Sequence, residues 1–220
     1  MKAIVIGGTG ATGKELVTQL LEDSRFDAVT VLVRRPYFNA HPKLKEILVD
    51  FEKLTDFQDE IRGDVAFSTL GTTLKDAGSK EAQWRVDHDY QLEFAQTAKS
   101  NGVNSFVLLS AYGANTKSSF FYNRMKGTLE ENMQKLDFHQ LVILHPGGIE
   151  RPDTTRKGEK IMMKALRAFN AIGIFKGYEP ISTQHLAKAM IASYFNYKQK
   201  HKIVSLKEIK AISLPGPSVG

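Results

Sequence analysis

The 220-residue chain contains no cysteine, one tryptophan and only a small excess of positive charge. The absence of cysteine excludes disulfides, thiol nucleophiles and Cys-ligated metal or iron–sulfur sites, and it fits a reducing compartment. The six histidines include no pair at i, i+3 or i+4, so the sequence predicts no metal site. Lys and Arg number 30 against 24 Asp and Glu, and they are scattered rather than interleaved with aromatics along one stripe. We therefore predict no nucleic-acid partner.

Long hydrophobic runs are also missing. No uncharged apolar run approaches the ~20 residues that a membrane helix needs, and the first strand-like residues lead directly into Gly7 without the apolar region of a signal peptide. The sequence thus predicts a cytoplasmic protein with no membrane partner. A hydrophobic fraction of 42% over 220 residues is enough for a single globular domain with its own core.

Short apolar runs alternate with amphipathic patterns along the chain. The predicted strands cover residues 2–6, 28–33, 46–50, 64–70, 105–109 and 138–144, and the predicted helices cover 11–23, 80–99 and 122–136. Near-continuous apolar strands that alternate with helices are typical of a parallel sheet covered on both faces. The sequence therefore predicts an α/β fold, a doubly wound parallel sheet with a small C-terminal substrate lobe.

The alternation is less regular after residue 150. We interpret 1–149 as a dinucleotide-binding core, 150–181 as a small substrate-side lobe with a helical pattern from about 160 to 171, 182–212 as a closing helix and edge segment, and 213–220 as a loose tail. Within the third of these, residues 202–212 are predicted to form a final strand or edge segment. All four parts are expected to belong to one domain.

The first chemical motif is the run from Gly7 to Gly13, which has Gly-x-x-Gly-x-x-Gly spacing between a predicted strand and a predicted helix. In a dinucleotide site the first glycine makes a tight turn, the second lets the backbone approach the pyrophosphate, and the third lets helix and strand pack closely. The helix N-terminus then offers free amides to the phosphates. The alternative is a glycine-rich turn without a ligand.

The second predicted strand ends at Val33, where an acidic residue would favour NAD by binding the ribose 2′-hydroxyl. Arg34 and Arg35 stand there instead. Guanidinium groups suit a 2′-phosphate, so the sequence favours NADP(H) over NAD(H). The alternative is that one or both arginines are solvated residues at the end of a strand.

The third motif is Ser110, Tyr122 and Lys126. Tyr122 and Lys126 share a helical face at i, i+4, and an ammonium near a phenol favours proton transfer by the phenol at neutral pH. Ser110 ends an apolar strand, at the edge of the sheet where ligands of open α/β folds bind. We predict these three as catalytic residues; the alternative is a half-buried tyrosine beside a surface lysine.

A second triplet has the same spacing. Ser182 precedes Tyr194 by twelve residues, and Lys198 follows Tyr194 at i+4. Ser182 does not follow an apolar strand of the same kind, and Tyr194 falls at the far end of its predicted helix. We therefore predict that this second triplet has no catalytic role.

The glycine motif, Ser110, Tyr122-x-x-x-Lys126 and Pro146-Gly147 resemble, in this order, the short-chain dehydrogenase/reductase superfamily. Finer features resemble its atypical, HIV Tat-interacting-protein-like branch over about residues 2–195. These features are Val33-Arg34-Arg35, the runs 49–54 and 85–90, Leu70-Gly71-Thr72-Thr73, and Leu108-Leu109-Ser110. The resemblance implies a Rossmann-type fold that binds NADP(H).

The resemblance also implies a set of cofactor-binding residues. These are Gly7, Thr9, Gly10, Ala11, Thr12 and Gly13 at the pyrophosphate, Arg34 and Arg35 at the 2′-phosphate, Asp50 and Phe51 at the adenine, Leu70, Gly71 and Thr72 along the passage to the nicotinamide, Lys126 at the nicotinamide ribose, and Pro146, Gly147 and Ile149 beside the nicotinamide. Asp50 could instead be a helix N-cap, and Pro146-Gly147 a simple turn after a strand.

One feature departs from the superfamily. Typical members carry a catalytic asparagine on the long helix before the fifth strand, whereas this chain has Asp87 and Asp89 there.

We expect an NADP(H)-dependent oxidoreductase acting on a small carbonyl or alcohol, the alternative being a non-catalytic, redox-sensing NADP(H)-binding regulator. The protein could be a monomer or a homodimer. His145, close to the predicted site, is interpreted as a packing residue.

Overall fold

The computed structural model describes residues 1–150 and 180–213. Its centre is a seven-stranded sheet in which all neighbouring strands run parallel. In chain order the strands are β1 (Lys2–Ile6), β2 (Ala28–Val33), β3 (Leu44–Leu48), β4 (Val65–Ser68), β5 (Ser105–Leu109), β6 (Gln140–Leu144), β7 (Ile149–Glu150), β8 (Ile181–Ser182) and β9 (His201–Val204). Strands β7 and β8 form a separate parallel pair.

Helices cover both faces of the sheet. They are α1 (Ala11–Glu22), a 3₁₀ segment (Phe51–Glu60), α2 (Leu74–Ala77), α3 (Lys80–Trp84), a π turn (Arg85–Asp89), α4 (Tyr90–Ser100), α5 (Phe121–Lys135), α6 (Thr183–Asn196) and α7 (Leu206–Ser213). Alternate residues of β1 point into two cores: Val5 packs with α1, α6 and α7, whereas Ile4 and Ile6 pack with α4 and α5. The predicted doubly wound α/β fold is confirmed.

The order of the strands determines where a ligand can bind. The sheet runs β3-β2-β1-β4-β5-β6-β9, so the chain moves to one side after β1 and to the other side from β4 onward. In open α/β sheets the ligand crevice lies at the carboxyl ends of the strands where this order reverses. Here that point lies between Gly7, after β1, and Thr69, after β4.

The prediction of a strand or edge segment over 202–212 is wrong in its second half. Edge strand β9 stops at Val204 and α7 begins at Leu206, because Ser205 and Glu208 form a capping box. The Ser205 N–H donates to Glu208 Oε2 at 2.9 Å, and the Glu208 N–H donates to Ser205 Oγ at 3.4 Å. The Ser-x-x-Glu signal that starts α7 is present in the sequence, whereas the apolar residues on both sides of it favour one continuous strand.

Two further elements differ from their predicted form. The third strand spans Leu44–Leu48 rather than 46–50, because Asp50 leaves the strand and caps the 3₁₀ segment by accepting from the Glu52 N–H at 2.9 Å. The helix predicted over 80–99 is interrupted by the π turn, where the Tyr90 N–H donates to the carbonyl of Arg85 five residues earlier.

The predicted lobe over 150–181, with its helical pattern at 160–171, lies almost wholly outside the described residues, as does the predicted tail after Ser213. At the described margins of the lobe, Ile149 pairs with Ile181 across β7 and β8. The division of the chain into these parts remains a prediction.

Candidate active site

The glycine loop brings three backbone segments into close contact. Gly7 has φ +76°, and a Cβ there would lie 2.4 Å from the Leu70 nitrogen. A Cβ on Gly13 would lie 2.1 Å from the Gly7 carbonyl oxygen. Only glycine fits at either position, so the ends of β1 and β4 and the start of α1 form a floor of bare backbone.

The start of α1 is open to an anionic ligand. Its N-cap residue, Gly10, has no side chain with which to cap the helix, and the first turn carries no acidic residue. The amides and positive dipole end of a helix bind phosphate well in such a place. The glycine loop therefore fits the pyrophosphate of a dinucleotide.

A cavity of about 240 Å³ opens above this floor at the carboxyl edge of the sheet. It is lined by Gly10, Ala11, Thr12, Thr69, Leu70, Gly71, Thr72, Thr73, Asp76, Asp87, Leu109, Ser110, Tyr122, Lys126 and Ile149. We call this cavity the cleft. Ten of its lining residues were predicted site residues, and all three predicted catalytic residues are among them.

Helix α5 presents Tyr122 and Lys126 to the cleft from its first two turns. The loop before α5 packs against the helix at Gly127, where a Cβ would lie 2.4 Å from the carbonyl carbon of Asn115. Tyr122 is 40% exposed, whereas Lys126 is only 2% exposed. The phenol is therefore accessible to a ligand, and the ammonium lies behind it.

Lys126 is paired with Asp87, one of the two aspartates on the helix where typical members of the superfamily carry asparagine. Its Nζ lies 3.9 Å from Asp87 Oδ1, and both side chains are buried. Burial lowers the pKa of Lys126, while the carboxylates of Asp87 and Glu130 oppose that shift. Burial likewise raises the pKa of Asp87, against the effects of Lys126 and of the Thr72 N–H. In both groups desolvation thus outweighs the attraction between the two charges.

The π turn positions Asp87 for this contact. Such one-residue insertions often occur at functional sites in helices. Asp87 Oδ2 accepts from the Thr72 N–H at 2.8 Å, and the Asp87 carbonyl accepts from Gln91 Nε2 at 2.7 Å. A Cβ on Gly71 would lie 3.2 Å from Asp87 Oδ1, so a small residue is favoured there. Asp87 thus links Lys126 to the loop after β4.

Ser110 follows β5 directly, and its side chain is held by Glu130 of α5. Its hydroxyl donates to Glu130 Oε1, which also lies 2.8 Å from His145 Nε2. Glu130 was missed in the sequence, although it follows Lys126 at i+4 and so shares its helical face. His145, interpreted as a packing residue, is mostly buried, and its ring also hydrogen-bonds to this buried carboxylate.

The two predicted 2′-phosphate ligands, Arg34 and Arg35, are exposed and outside the cleft lining. They follow β2, which pairs with β1, so they stand at the same edge of the sheet as the glycine loop. The residues that follow them, Tyr37 and Phe38, pack against the glycine loop and α1. The Phe38 ring lies 3.7 Å from the Cβ position of Gly8, and Lys14 Nζ lies 4.7 Å from the Tyr37 ring centroid.

The other predicted cofactor residues also surround the cleft without lining it. Asp50 is the N-cap described above, as its alternative interpretation required, and Phe51 is buried with its ring 5.6 Å from that of Tyr90. Pro146 is buried, and its carbonyl accepts from the Tyr112 N–H at 3.0 Å. Gly147 follows it, before β7, and Thr9 is exposed in the glycine loop.

The tyrosine and the lysine of the second triplet lie at the opposite edge of the sheet. The Tyr194 hydroxyl is 3.6 Å from the sulfur of Met1, which precedes β1. Ser182 caps α6 by accepting from the His185 N–H at 3.2 Å. Lys198 is exposed, with its Nζ 5.5 Å from the Tyr194 ring centroid. Tyr194 and Lys198 are thus far from the carboxyl edge. Ser182 is not, because the residue before it, Ile181, pairs with Ile149 of the cleft lining.

Residues 1–150 and 180–213 contain neither a metal-binding cluster nor a membrane-spanning helix. No group of three His, Asp or Glu side chains there could hold a metal ion. None of the helices in the same ranges has the length and apolar character needed to cross a bilayer.

The chain is similar to several known proteins. Residues 7–196 match the family described as NAD(P)H-binding. Protein HTATIP2 of Rattus norvegicus is 39% identical over 147 residues, which is 65% of this chain and 60% of that protein. Protein FMP52, mitochondrial, of Saccharomyces cerevisiae is 35% identical over 163 residues, 72% of this chain and 71% of that protein. The chain thus spans less than two thirds of the rat relative.

Two solved structures share the fold at low identity. MoeE5 in complex with UDP-glucose and NAD has a TM-score of 0.70 at 15% identity, covering 96% of this chain and 80% of that chain. A short chain dehydrogenase family protein from Francisella tularensis subsp. tularensis has a TM-score of 0.67 at 16% identity, covering 94% and 98% of the two chains.

The parallel sheet, with a glycine loop at its switch point, defines a Rossmann-type nucleotide-binding protein. The chain belongs to the NAD(P)H-binding family, and within it to the atypical short-chain dehydrogenase/reductases of the HTATIP2 branch. The family match supports a nicotinamide dinucleotide as the cofactor.

Proposed function

We propose that the protein is an NADP(H)-dependent oxidoreductase that interconverts a small carbonyl compound and its alcohol. The observation that carries this proposal is that Ser110, Tyr122 and Lys126 line one cleft with the amide-rich start of α1. The bound nicotinamide would supply or accept the hydride.

Each polar side chain of the cleft has a role in this proposal. Tyr122, the accessible phenol, is the acid/base that gives a proton to the carbonyl oxygen or takes one from the alcohol. The buried Lys126 ammonium favours the phenolate form and binds the nicotinamide ribose. Ser110 hydrogen-bonds to the oxygen of the substrate. Pro146, Gly147 and Ile149 flank the nicotinamide.

The preference for NADP(H) is part of the proposal and rests on Arg34 and Arg35. Replacing both with alanine is expected to weaken NADPH binding by roughly tenfold to a hundredfold, the usual size for lost charge-assisted hydrogen bonds. NADH binding should be unchanged. The control is Arg62→Ala, an exposed arginine that precedes β4 at the other edge. An equal loss of NADH and NADPH affinity would contradict the assigned role.

The test of turnover uses NADPH deuterated at the transferable position of C4 and a panel of small aldehydes and ketones. Deuterium in the alcohol product is the expected result. Binding of NADPH without transfer to any member of the panel would instead support the second candidate, a redox-sensing regulator. Asp87 is the feature that favours that candidate, because it lies on the helix where typical enzymes of the superfamily carry asparagine.

A cytoplasmic location is also a prediction rather than a finding, and relatives such as the Saccharomyces cerevisiae protein carry the word mitochondrial in their names. We propose no nucleic-acid or membrane partner, and a monomer or homodimer. Fractionation of the source cells and light scattering of the purified protein would test these points.

A further inference from the structure

Ser110 is oriented in an unexpected direction for a residue that must hold a carbonyl oxygen. Its only hydroxyl proton is donated to the carboxylate of Glu130. A serine in that state presents lone pairs, and no O–H, to anything else in the cleft. It therefore matches a ligand hydroxyl, which can donate, better than a carbonyl, which can only accept.

The geometry around Glu130 is built by three elements. The Ser110 N–H donates to the Leu144 carbonyl at 3.0 Å, which fixes the end of β5 beside His145 at the end of β6. The His145 N–H donates to the Val204 carbonyl at 2.9 Å, so β9 supports the same turn. Glu130 reaches both side chains from α5, and its side chain is only 8% exposed. The three polar groups are thus held in a chain.

The charges facing Glu130 leave the cluster one proton short of neutrality. Lys126 faces Glu130 from the preceding turn of α5, and Asp87 faces Lys126 from the π turn. Counted with full formal charges, one ammonium and two carboxylates have a net charge of −1 when His145 is neutral. His145 is 17% exposed at its side chain, so it connects this buried cluster to solvent.

We propose that Glu130 and His145 are positioning residues that set whether Ser110 accepts or donates a hydrogen bond in the cleft. With Glu130 ionised, Ser110 accepts and the site selects a hydroxyl ligand. When the pair gains one proton, Glu130 donates to Ser110, whose own O–H then turns toward a carbonyl. This inference rests on the proposed function only in taking the ligands to be an alcohol and its carbonyl.

The proton reaches Glu130 through the imidazole. His145 takes a proton from solvent at Nδ1 and releases the one on Nε2 to Glu130 Oε1. The new O–H of Glu130 then turns from Nε2 towards Ser110 Oγ, and the Ser110 O–H turns into the cleft, so one proton enters the cluster and no other covalent bond changes. The reverse transfer returns the proton to solvent. Because this exchange takes one proton from solvent, the selection of ligand should follow pH.

The first test is binding to the NADPH-loaded protein, which requires no turnover. The probes are benzyl alcohol and N,N-dimethylbenzamide, a carbonyl acceptor with no N–H. The wild type should prefer the alcohol at pH 8, and that preference should fall roughly tenfold by pH 5.5, about the value of one hydrogen bond. Glu130→Gln cannot ionise, and His145→Gln keeps an N–H donor but cannot carry a proton. Both should show a preference that does not change with pH.

The matched control is His139→Gln, an exposed histidine near the other end of β6. It should behave as the wild type. A wild-type preference that is constant with pH, or a Glu130→Gln protein that keeps the wild-type pH dependence, would overturn the inference.

The second test is long-range ¹H–¹⁵N NMR of the histidine side chains at pH 8, in protein without any ligand. His145 should be protonated on Nε2, and its signals should shift in Glu130→Gln but not in His139→Gln. A His145 protonated on Nδ1, or signals that Glu130→Gln leaves unchanged, would overturn the inference even where neither probe binds. If the protein binds NADPH but never oxidises it, the proposed function is wrong while the inference on Ser110 can still hold. The failure of the proposed function and the failure of this inference are therefore distinguishable.

Discussion

The two Ser-x₁₁-Tyr-x₃-Lys triplets of this chain have the same spacing, but only the first has its tyrosine and lysine at the carboxyl edge of the sheet. Ser110, Tyr122 and Lys126 line the cleft at the carboxyl edge. The Tyr194 hydroxyl of the other triplet lies beside Met1, which precedes β1. A motif defined by spacing therefore says little by itself. Tyr122 lies in the first turn of α5, whereas Tyr194 lies in the last turn of α6, at the end remote from Ser182.

The two triplets also differ in how their lysines are surrounded. Lys126 is buried and paired with Asp87, whereas Lys198 is exposed beside an aromatic ring. A buried ammonium needs carboxylates around it, and those carboxylates belong to the site as much as the lysine does. An exposed lysine needs no such partners and contributes little to stability.

The largest expected difference is in stability. Lys126→Met leaves the carboxylates of Asp87 and Glu130 buried without their cation, and should destabilise the protein by about 3 kcal/mol. Lys198→Met changes a surface residue and should alter the free energy of unfolding by less than about 0.5 kcal/mol. Urea denaturation followed by circular dichroism measures both. Similar values for the two variants would contradict the burial of a true ion pair.

A smaller effect separates the two serines. Ser182→Ala removes the N-cap of α6 and should cost about 1 kcal/mol of stability, and Ser110→Ala removes one hydrogen bond to Glu130 at a similar cost. Only Ser110→Ala should also reduce turnover. The measurement is thermal unfolding together with the rate of NADPH oxidation, and a loss of turnover in Ser182→Ala would place that serine in the chemistry after all.

The smallest expected effect concerns Glu208, which belongs to the capping box of α7 after edge strand β9. Hydrogen bonds from Lys202 and Ser205 lower the pKa of Glu208 to about 2. A carboxyl whose pKa is lower in the folded than in the unfolded state stabilises the protein above its ordinary pKa, and this is lost as pH falls toward 2. Because the pair is partly exposed, Glu208→Gln should cost only about 0.5 kcal/mol at pH 7.

The stability difference between Glu208→Gln and the wild type should therefore shrink when urea unfolding is repeated at pH 3. A difference that stays constant between pH 7 and pH 3 would mean that the carboxylate charge contributes nothing. Glu22→Gln, at the exposed end of α1, serves as a control whose effect should be negligible at both pH values.

The sheet and the grouping of the cleft residues could be predicted from sequence because they follow from strand order. Gly7 and Ser110 each end an apolar strand, and parallel strands bring such ends to one edge. The contact between Lys126 and Asp87 could not be predicted, since it depends on a π turn that shifts the helical register by one residue. An ordinary α-helical repeat gives no signal for that shift.

The cluster beneath Ser110 was hidden for a different reason. Glu130 and His145 belong to different elements, and only the packing of α5 against the ends of β5 and β6 brings them together. The spacing of Lys126 and Glu130 at i+4 was a usable signal that the two share a face. In the same way, the Ser-x-x-Glu sequence at 205–208 could have located the start of α7.

The most direct test of the central claim compares Tyr122→Phe with Tyr194→Phe, the two phenols of the matched triplets. With NADPH and a small aldehyde that the wild type reduces, Tyr122→Phe should lose roughly a hundredfold to ten-thousandfold in kcat/KM, the usual contribution of a general acid. Its affinity for NADPH should remain, and Tyr194→Phe should keep full activity. Equal activity of Tyr122→Phe and the wild type would contradict the account.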